Sequence, residues 1–344
     1  MRGRAADALR ALVPLVAALL LGGLALAALG RDPVEFYARV VNRALLSPTG
    51  WQEVLVLMAP LLLVAASLIV SFRAGLWNLG VDGQLLLAAV IVAALAPRLV
   101  AVMPYPLAIG LLMILGGAVG AAWAALPAWL RAAHGVNEIV STLMMSFLAA
   151  SLSALLIKTV LGDPENTVPQ TPVLAVEDRL PRLGGTLVHA GVVLAVLVLV
   201  AVHLLMTRTA FGLRLRIAGH SPRAARHAGL DLRRLTFATF GLSAALAGLA
   251  GAVEVLGVRG VVRADWHPGY GLLVVPLVFL ARLNGIAAIP FVAAFAVLSI
   301  GGESAARRAD LPNHVLLVIV ALVLGLLALM DHLLARRAAR RERG

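Results

Sequence analysis

Long apolar runs alternate with short polar segments along almost the whole chain. A helix that crosses a bilayer needs about 20 mostly apolar residues, and most of the runs approach that length. Ten candidate spans follow from the pattern: residues 11–29, 53–72, 81–97, 105–130, 138–158, 187–206, 234–257, 271–283, 286–301 and 314–334. The pattern predicts an all-α polytopic membrane protein with about ten transmembrane helices, built as a single transmembrane domain over residues 1–344.

Two segments depart from this regular pattern. The run 271–283 is short and contains Pro276, which leaves two alternatives open: a full span, or a broken or re-entrant helix. Residues 33–46 carry apolar side chains at helical spacing, which predicts a short amphipathic helix along the outer surface. The apolar side chains that define this spacing are Val34, Tyr37, Val40, Val41 and Leu45.

Composition and charge support a membrane location and set the expected topology. Hydrophobic residues make up 61% of the chain and charged residues only 13%, which leaves too few polar residues to cover a water-facing surface. The net charge is +12, but the arginines lie between apolar runs rather than on basic faces with interleaved aromatics, so nucleic-acid binding is not expected. Arginines cluster at both termini and in the loop 207–233. These regions are therefore expected in the cytoplasm, which places the loop 159–186 outside.

One segment of the basic loop has the signals of a self-capped helix. Ser221 suits the N-cap, Pro222 suits the first helical position, and Gly229 suits a left-handed stop. A short rigid helix held between two spans could transmit force from a cytoplasmic partner. The alternative is a plain connector whose arginines only fix the topology.

A second polar segment interrupts the apolar pattern over residues 72–84. Three glycines loosen the helix there, and Asn78, Asp82 and Gln84 need polar partners or water. Polar groups at a break in a membrane helix are typical of a translocation pathway. The alternative is an ordinary interfacial loop.

A third polar feature begins at Asn137. Glu138, Thr142 and Ser146 follow at intervals of four residues, which places them on one helical face. A polar face on a membrane helix lines a cavity or hydrogen-bonds a neighbouring helix.

Small residues dominate one face of the predicted span 234–257. The pairs Ala244/Gly248 and Ala247/Gly251 are spaced for close helix packing, and we expect them to serve packing rather than transport.

Several catalytic motifs are missing from the chain. Lys158 is the only lysine and does not lie in a Walker A loop, so this chain cannot provide that ATP site. Cysteine is absent, the histidines have no zinc-site spacing, and there is no Gly-x-Ser-x-Gly motif. The chain is therefore not expected to be an enzyme or to hold a cofactor of its own.

Four segments, in order, resemble a known family. Residues 72–84 read FRAGLWNLGVDGQ, residues 136–142 read VNEIVST, and residues 246–257 read LAGLAGAVEVLG. Residues 211–219 read FGLRLRIAG and are followed by Pro222, Ala224, Ala225 and Gly229. These segments resemble the permease subunits of bacterial ATP-binding cassette (ABC) importers for simple sugars, nucleosides and branched-chain amino acids. The nucleoside (guanosine-type) branch is the most similar.

The resemblance implies a type II-importer-like permease in the bacterial inner (plasma) membrane, with both termini in the cytoplasm. It implies that a separate ATPase subunit binds ATP and Mg²⁺, that a second permease subunit completes the channel, and that an external binding protein or lipoprotein delivers the solute. The helix after Gly219 would couple the chain to the ATPase. The implied coupling residues are Gly219, Ser221, Pro222, Arg223, Ala224, Ala225, Arg226 and Gly229.

The expected solute is small and polar, with a nucleoside favoured and a simple sugar next. The positions expected near the pathway are Asn78, Asp82, Gln84, Asn137, Glu138, Thr142 and Ser146. One segment departs from the nucleoside branch: after Gly271 the chain lacks a carboxylate and two glycines of the usual pattern and contains Pro276. The rival hypothesis is a secondary transporter or channel working alone, with Asp82, Glu138 and Glu254 as candidate relay carboxylates.

Overall fold

The fold is known from a computed structural model that describes residues 20, 22–24, 26–28, 30–308 and 325. Residues 20, 22–24 and 26–28 are helical, in agreement with the first predicted span. The remainder of that span, and the span 314–334 apart from residue 325, lie outside the described residues.

Helices account for almost all of the regular structure in the described residues. In chain order they are α1 (Pro33–Val41), α2 (Gly50–Arg73), α3 (Val81–Val102), α4 (Tyr105–Trp123), α5 (Ala125–His134), α6 (Glu138–Thr159), α7 (Ala190–Arg208), α8 (Ala210–His220), α9 (Pro222–His227), α10 (Leu232–Glu254), α11 (Tyr270–Leu280) and α12 (Gly285–Arg308). Short π-helices continue α1 over Asn42–Leu46 and α10 over Val255–Arg259, and a 3₁₀ turn covers Val176–Asp178.

Seven helical stretches in the described part of the chain are long and apolar enough to cross a membrane. They are α2, α3, α4 with α5, α6, α7, α10 with its π-helix, and α12. All seven coincide with predicted spans, so hydropathy located these elements correctly. The all-α polytopic fold is confirmed.

Helix α11 is the exception among the predicted spans. Its 11 residues extend for about 16 Å, roughly half of the apolar thickness of a bilayer. The predicted segment ran to residue 283, but the helix ends earlier because Arg282 and Leu283 have left-handed φ angles of 52° and 57°. This length agrees with a partial, re-entrant helix rather than a complete span.

Contacts between Cα atoms divide the chain into two compact units. The described residues of Met1–Leu55, Phe279–Arg282 and Pro290–Gly344 form one, and Val56–Val278 with Leu283–Ile289 forms the other. In the first unit, α1 buries Phe36 and Val40, while Val34 is 77% exposed. The predicted short helix is present, and of its apolar positions Val40 is buried while Val34, Val41 and Leu45 are exposed on the surface of the described chain.

Helix α10 lies at the centre of the second unit and packs against α3 and α4. The contacts are backbone to backbone: a Cβ atom on Gly248 would lie 2.1 Å from the Gly116 carbonyl oxygen, and one on Gly251 would lie 2.2 Å from the Leu85 carbonyl oxygen. The predicted packing role of the small-residue pairs on α10 is confirmed. Such close approach is possible only where side chains are absent.

The loop between α6 and α7 is tied to the chain that follows α10. Backbone amides of Thr171, Leu174 and Leu180 donate to carbonyl oxygens of Val262, Gly260 and Leu256 at 2.9, 2.8 and 2.8 Å. The loop predicted to lie outside therefore covers one end of α10 in an ordered arrangement.

Candidate functional site

Helix α9 has the caps that its sequence predicts. The Ser221 hydroxyl accepts a hydrogen bond from the Ala224 amide at 3.2 Å, and Pro222 occupies the first turn. Gly229 adopts φ +74°, and the Leu230 amide donates to the Ala225 carbonyl oxygen at 3.0 Å, which closes the last turn. The segment is therefore a self-capped helix that begins at Pro222 and ends at His227.

The two sides of α9 differ sharply in exposure. Ala225 is fully buried against its own chain, whereas its neighbours Arg223, Ala224 and Arg226 are exposed. Helix α9 is thus packed on its own chain at Ala225 and exposed on its other side.

A backbone contact joins the end of α8 to the segment that follows α2. A Cβ atom on Gly219 would lie 2.7 Å from the Arg73 carbonyl oxygen and 2.8 Å from the Ala74 carbonyl carbon. Gly75 faces it with φ +68°, and a Cβ atom there would lie 2.9 Å from the Gly219 Cα. No side chain fits between the two segments, so the backbones of α8 and of the chain after α2 are in direct contact.

Arg73 was missed as a site residue, although an arginine beside a glycine break at the end of an apolar run is a detectable signal. Its Nε donates to the Leu283 carbonyl oxygen at 3.0 Å, and its Nη1 donates to the Met206 carbonyl oxygen at 3.4 Å. The side chain therefore links the ends of α2 and α7 with the turn after α11.

Asn78 and Gln84 form a buried hydrogen-bond network. Each side-chain amide donates to the other's oxygen at 3.0 Å, and the Asn78 amide also donates to the Ser243 hydroxyl at 2.9 Å. The Ser243 and Ser67 hydroxyl oxygens lie 3.0 Å apart. Ser67 lies about 9 Å along the helix axis from Arg73, where α2 ends. The segment 74–80 therefore folds back into the bundle, and α3 begins inside it.

The polar face of α6 holds this folded-back segment. The Leu79 amide donates to the Thr142 hydroxyl at 3.2 Å, and the Gly83 amide donates to the Ser146 hydroxyl at 3.3 Å. Of the two alternatives for this face, hydrogen bonding to a neighbouring segment is the one observed in this structure.

Asn137 and Glu138 lie at the start of α6, away from Asn78 and Gln84. The Asn137 side chain caps the helix by accepting from the Ile139 amide at 2.9 Å. The Glu138 carboxylate is 9% exposed and pairs with Arg131 of α5 at 3.3 Å. Both residues therefore shape the turn between α5 and α6.

Asp82 lies apart from the Asn78–Gln84 network and caps α11. Its Oδ1 accepts a hydrogen bond from the Gly271 amide at 2.6 Å. Because Asp82 belongs to the first turn of the recessed helix α3, α11 also begins inside the bundle. A partial helix that starts within a bundle is a common feature of transport sites.

A second cluster joins the end of α10 to α11 and was not recognised as a unit from the sequence. The buried Glu254 carboxylate accepts from Arg259 Nε at 2.8 Å and from the Tyr270 hydroxyl at 3.4 Å. The Arg259 guanidinium lies 4.5 Å from the centre of the Trp266 ring. Glu254 is thus paired, as are Asp82 and Glu138, and none of the three rival relay carboxylates is left without a partner.

The described residues contain no group of three or more His, Cys, Asp or Glu side chains that could hold a metal ion. What the described residues show instead is a continuous set of contacts. It runs from the exposed helix α9, through Gly219 and Gly75, to polar groups inside the bundle.

Comparison with known proteins agrees with this arrangement. Residues 51–327 match the family model described as branched-chain amino acid transport system / permease component. A glucose ABC transporter permease protein from Haloferax volcanii is 35% identical, over 90% of this chain and 84% of its own length. A nucleoside ABC transporter permease protein from Lactococcus lactis is 30% identical, over 72% of this chain and 71% of its own length.

A guanosine ABC transporter permease protein from Bacillus subtilis is 28% identical, over 91% of each chain. No solved structure matches the chain. The spans, the ordered motifs and the extent of these matches lead to one conclusion. The chain belongs to the family of branched-chain amino acid transport system permease components, and it is a multi-pass plasma-membrane permease subunit of an ABC importer.

Proposed function

We propose that this subunit forms part of the translocation pathway for a small neutral polyhydroxylated solute and is driven by an ATPase that acts on α9. The observation that carries the proposal is the contact between Gly219 and Gly75, because it connects the exposed helix to the folded-back segment without an intervening side chain. Displacement of α9 would be passed on rather than absorbed.

The connection continues toward the interior. From Gly75 the chain leads to Leu79, which is held by Thr142, and then to Asp82, which holds the start of α11. A shift of the segment 74–80 would therefore move α3 and α11 relative to α6. Such a movement is the kind of rearrangement that alternating access requires.

The pathway residues follow from this movement. The polar side chains at the predicted pathway positions all have partners within the chain in this arrangement: Glu138 pairs with Arg131, and the others bond one another, Ser243 or the backbone. These positions are Asn78, Asp82, Gln84, Asn137, Glu138, Thr142 and Ser146. Rearrangement of the helices around the folded-back segment would expose some of these groups to a solute. Asp82 is the leading candidate because it is partly exposed and lies at the start of a partial helix.

The solute class is inferred from what the relatives share. Their names state glucose, nucleoside, guanosine and riboflavin, which are neutral molecules with a sugar or a sugar-derived polyol. The resemblance favoured a nucleoside, but the 35% identity to the glucose permease and the altered segment after Gly271 support a sugar equally well. The shared polyol is therefore the proposed recognition element.

The family implies an ATPase and a substrate-binding protein as partners. We infer that a second permease subunit completes the pathway and that α9 and both termini face the cytoplasm. Membrane lipid surrounds the remaining helical surfaces.

Uptake by proteoliposomes tests the proposal. The chain, the second permease subunit, the partner ATPase and the binding protein are reconstituted, with ATP supplied only on the side that carries α9. Uptake is measured separately for labelled guanosine and for labelled glucose. Unlabelled glucose is the competitor in the guanosine experiment, and unlabelled guanosine is the competitor in the glucose experiment. We expect uptake of at least one solute that requires both the ATPase and ATP. Uptake by the chain alone under an ion gradient would contradict the proposal and support a secondary transporter.

A further inference from the structure

A cavity of about 400 Å³ lies where the ends of α5, α8, α9 and α10 meet the chain after α2. Its volume falls within the range of small-molecule sites, about 300–1,000 Å³. Its wall contains the Gly75–Gly219 contact and part of α9. The cavity therefore adjoins the helix proposed to couple the permease to its ATPase, and nothing described so far uses it.

The charge of this cavity has a single sign. Arg131, Arg226 and Arg233 line it, and no aspartate or glutamate is among its lining residues. Arg131 pairs with Glu138, but within the described part of the chain no carboxylate pairs with Arg226 or Arg233. Two arginines from different helices thus line one cavity with no carboxylate among its lining residues, which makes the potential there positive.

The remaining lining residues are mainly alanine, glycine and leucine, with Thr236 and Thr239. Both threonine hydroxyls donate to carbonyl oxygens of their own helix, those of Leu232 and Leu235. The arginines are therefore the strongest donors available to a ligand. A guanidinium group binds phosphoryl oxygens through paired hydrogen bonds, and the apolar wall suits a ring or short carbon body.

We propose that this cavity binds a phosphorylated ligand, with the phosphoryl group held between Arg226 and Arg233. The phosphoryl group could belong to a soluble organic phosphate or to a lipid headgroup, and these sources share the chemistry that the arginines recognise. Bound in this way, the ligand would bridge α9 and α10 and restrain α9. That consequence for transport rests on the proposed function, whereas the binding itself does not.

Ligand-induced stabilisation of the full chain tests the binding. The chain is placed in phosphatidylcholine nanodiscs, and its thermal midpoint is measured against inorganic phosphate, guanosine 5′-monophosphate and glucose 6-phosphate. Guanosine and glucose are the uncharged controls. We expect a saturable rise in the midpoint with at least one phosphorylated probe, because a ligand that binds only the folded state stabilises it.

Two double variants separate the cavity from general charge. R226Q/R233Q removes the two cavity arginines, and R223Q/R234Q removes their sequence neighbours on the same two helices, which do not line the cavity. Arg234 is 90% exposed. We expect the first variant to raise the apparent Kd at least about tenfold and the second to change it less than about twofold. If R226Q/R233Q is unstable, R226K/R233K keeps the charge and is expected to weaken binding to a smaller extent.

The lipid composition of the nanodisc distinguishes a lipid headgroup from a soluble organic phosphate as the source of the phosphoryl group. The thermal midpoint is compared between phosphatidylcholine and phosphatidylglycerol nanodiscs. A higher midpoint in phosphatidylglycerol that R226Q/R233Q loses and R223Q/R234Q keeps would support the site, with a lipid headgroup as its ligand. Absence of a saturable effect with every phosphorylated probe and with phosphatidylglycerol would overturn the proposal. Equal weakening in the two glutamine variants would also overturn it, because binding would then depend on net charge rather than on the cavity.

Discussion

At the scale of single residues, Asp82 shows what sequence reasoning reaches and where it stops. An ionisable side chain at a glycine-rich break indicated a position near the pathway, which stays a prediction, whereas the structure shows the carboxylate bonded to the start of α11. Its partner, Gly271, lies 189 positions away, and no local pattern specifies that contact. The same limit applies to Asn78, whose bond to Ser243 depends on how α10 packs.

Replacement of Asp82 by alanine is expected to destabilise the protein and reduce uptake. The amides of Gly271 and Leu272 would lose their shared acceptor, and an unsatisfied buried donor costs about 1–3 kcal/mol. The thermal midpoint in nanodiscs measures the effect. Asp265→Ala is the matched control because its side chain is 72% exposed. Asp82→Asn retains an acceptor and is expected to fall between the two. Equal midpoints for the two alanine variants would show that the cap contributes nothing.

At the scale of elements, α9 could be predicted almost completely. Its caps are local, so Ser221, Pro222 and Gly229 specify a short helix wherever the chain places it. The sequence does not predict which side of α9 is buried and which is exposed. Ala224 and Ala225 are neighbours of the same type, but only Ala225 is buried.

These two alanines provide a paired test of the coupling surface. Ala224→Trp is expected to leave the thermal midpoint unchanged and to reduce co-purification of the ATPase, because the new ring would lie on the exposed side. Ala225→Trp is expected to lower the midpoint, since overpacking a buried site costs about 1–3 kcal/mol. Full ATPase binding and uptake by Ala224→Trp would argue that this side of α9 is not the docking surface.

The membrane spans were also predictable, for a different reason. A bilayer requires long apolar helices, so hydropathy located α2, α7 and α12 without knowledge of their neighbours. The short helix α11 was recognisable from its length and Pro276. The recessed start of α3 was not, because it follows from hydrogen bonds between α2, α6 and α10 that only the folded chain brings together.

At the scale of the whole molecule, the features form a connected sequence from the basic loop 207–233 to the interior. The exposed helix α9 continues from α8, Gly219 contacts the chain after α2, and that chain leads to Asp82 and α11. Each step is a short covalent link, a backbone contact or, between Asp82 and α11, a single hydrogen bond, which suits transmission of movement. The central claim is that this connection couples ATP hydrolysis in a partner to transport.

The most direct test is stimulation of the partner's ATPase by solute-loaded binding protein, compared between Gly219→Ala and Gly241→Ala. Both changes add one methyl group to a helical glycine. A Cβ atom on Gly219 would lie 2.7 Å from the Arg73 carbonyl oxygen, whereas one on Gly241 would have no neighbour within 4 Å. We expect Gly219→Ala to retain bound ATPase but to lose most of the stimulation and uptake, and Gly241→Ala to behave as the unmodified chain. Full stimulation and uptake by Gly219→Ala would contradict the central claim.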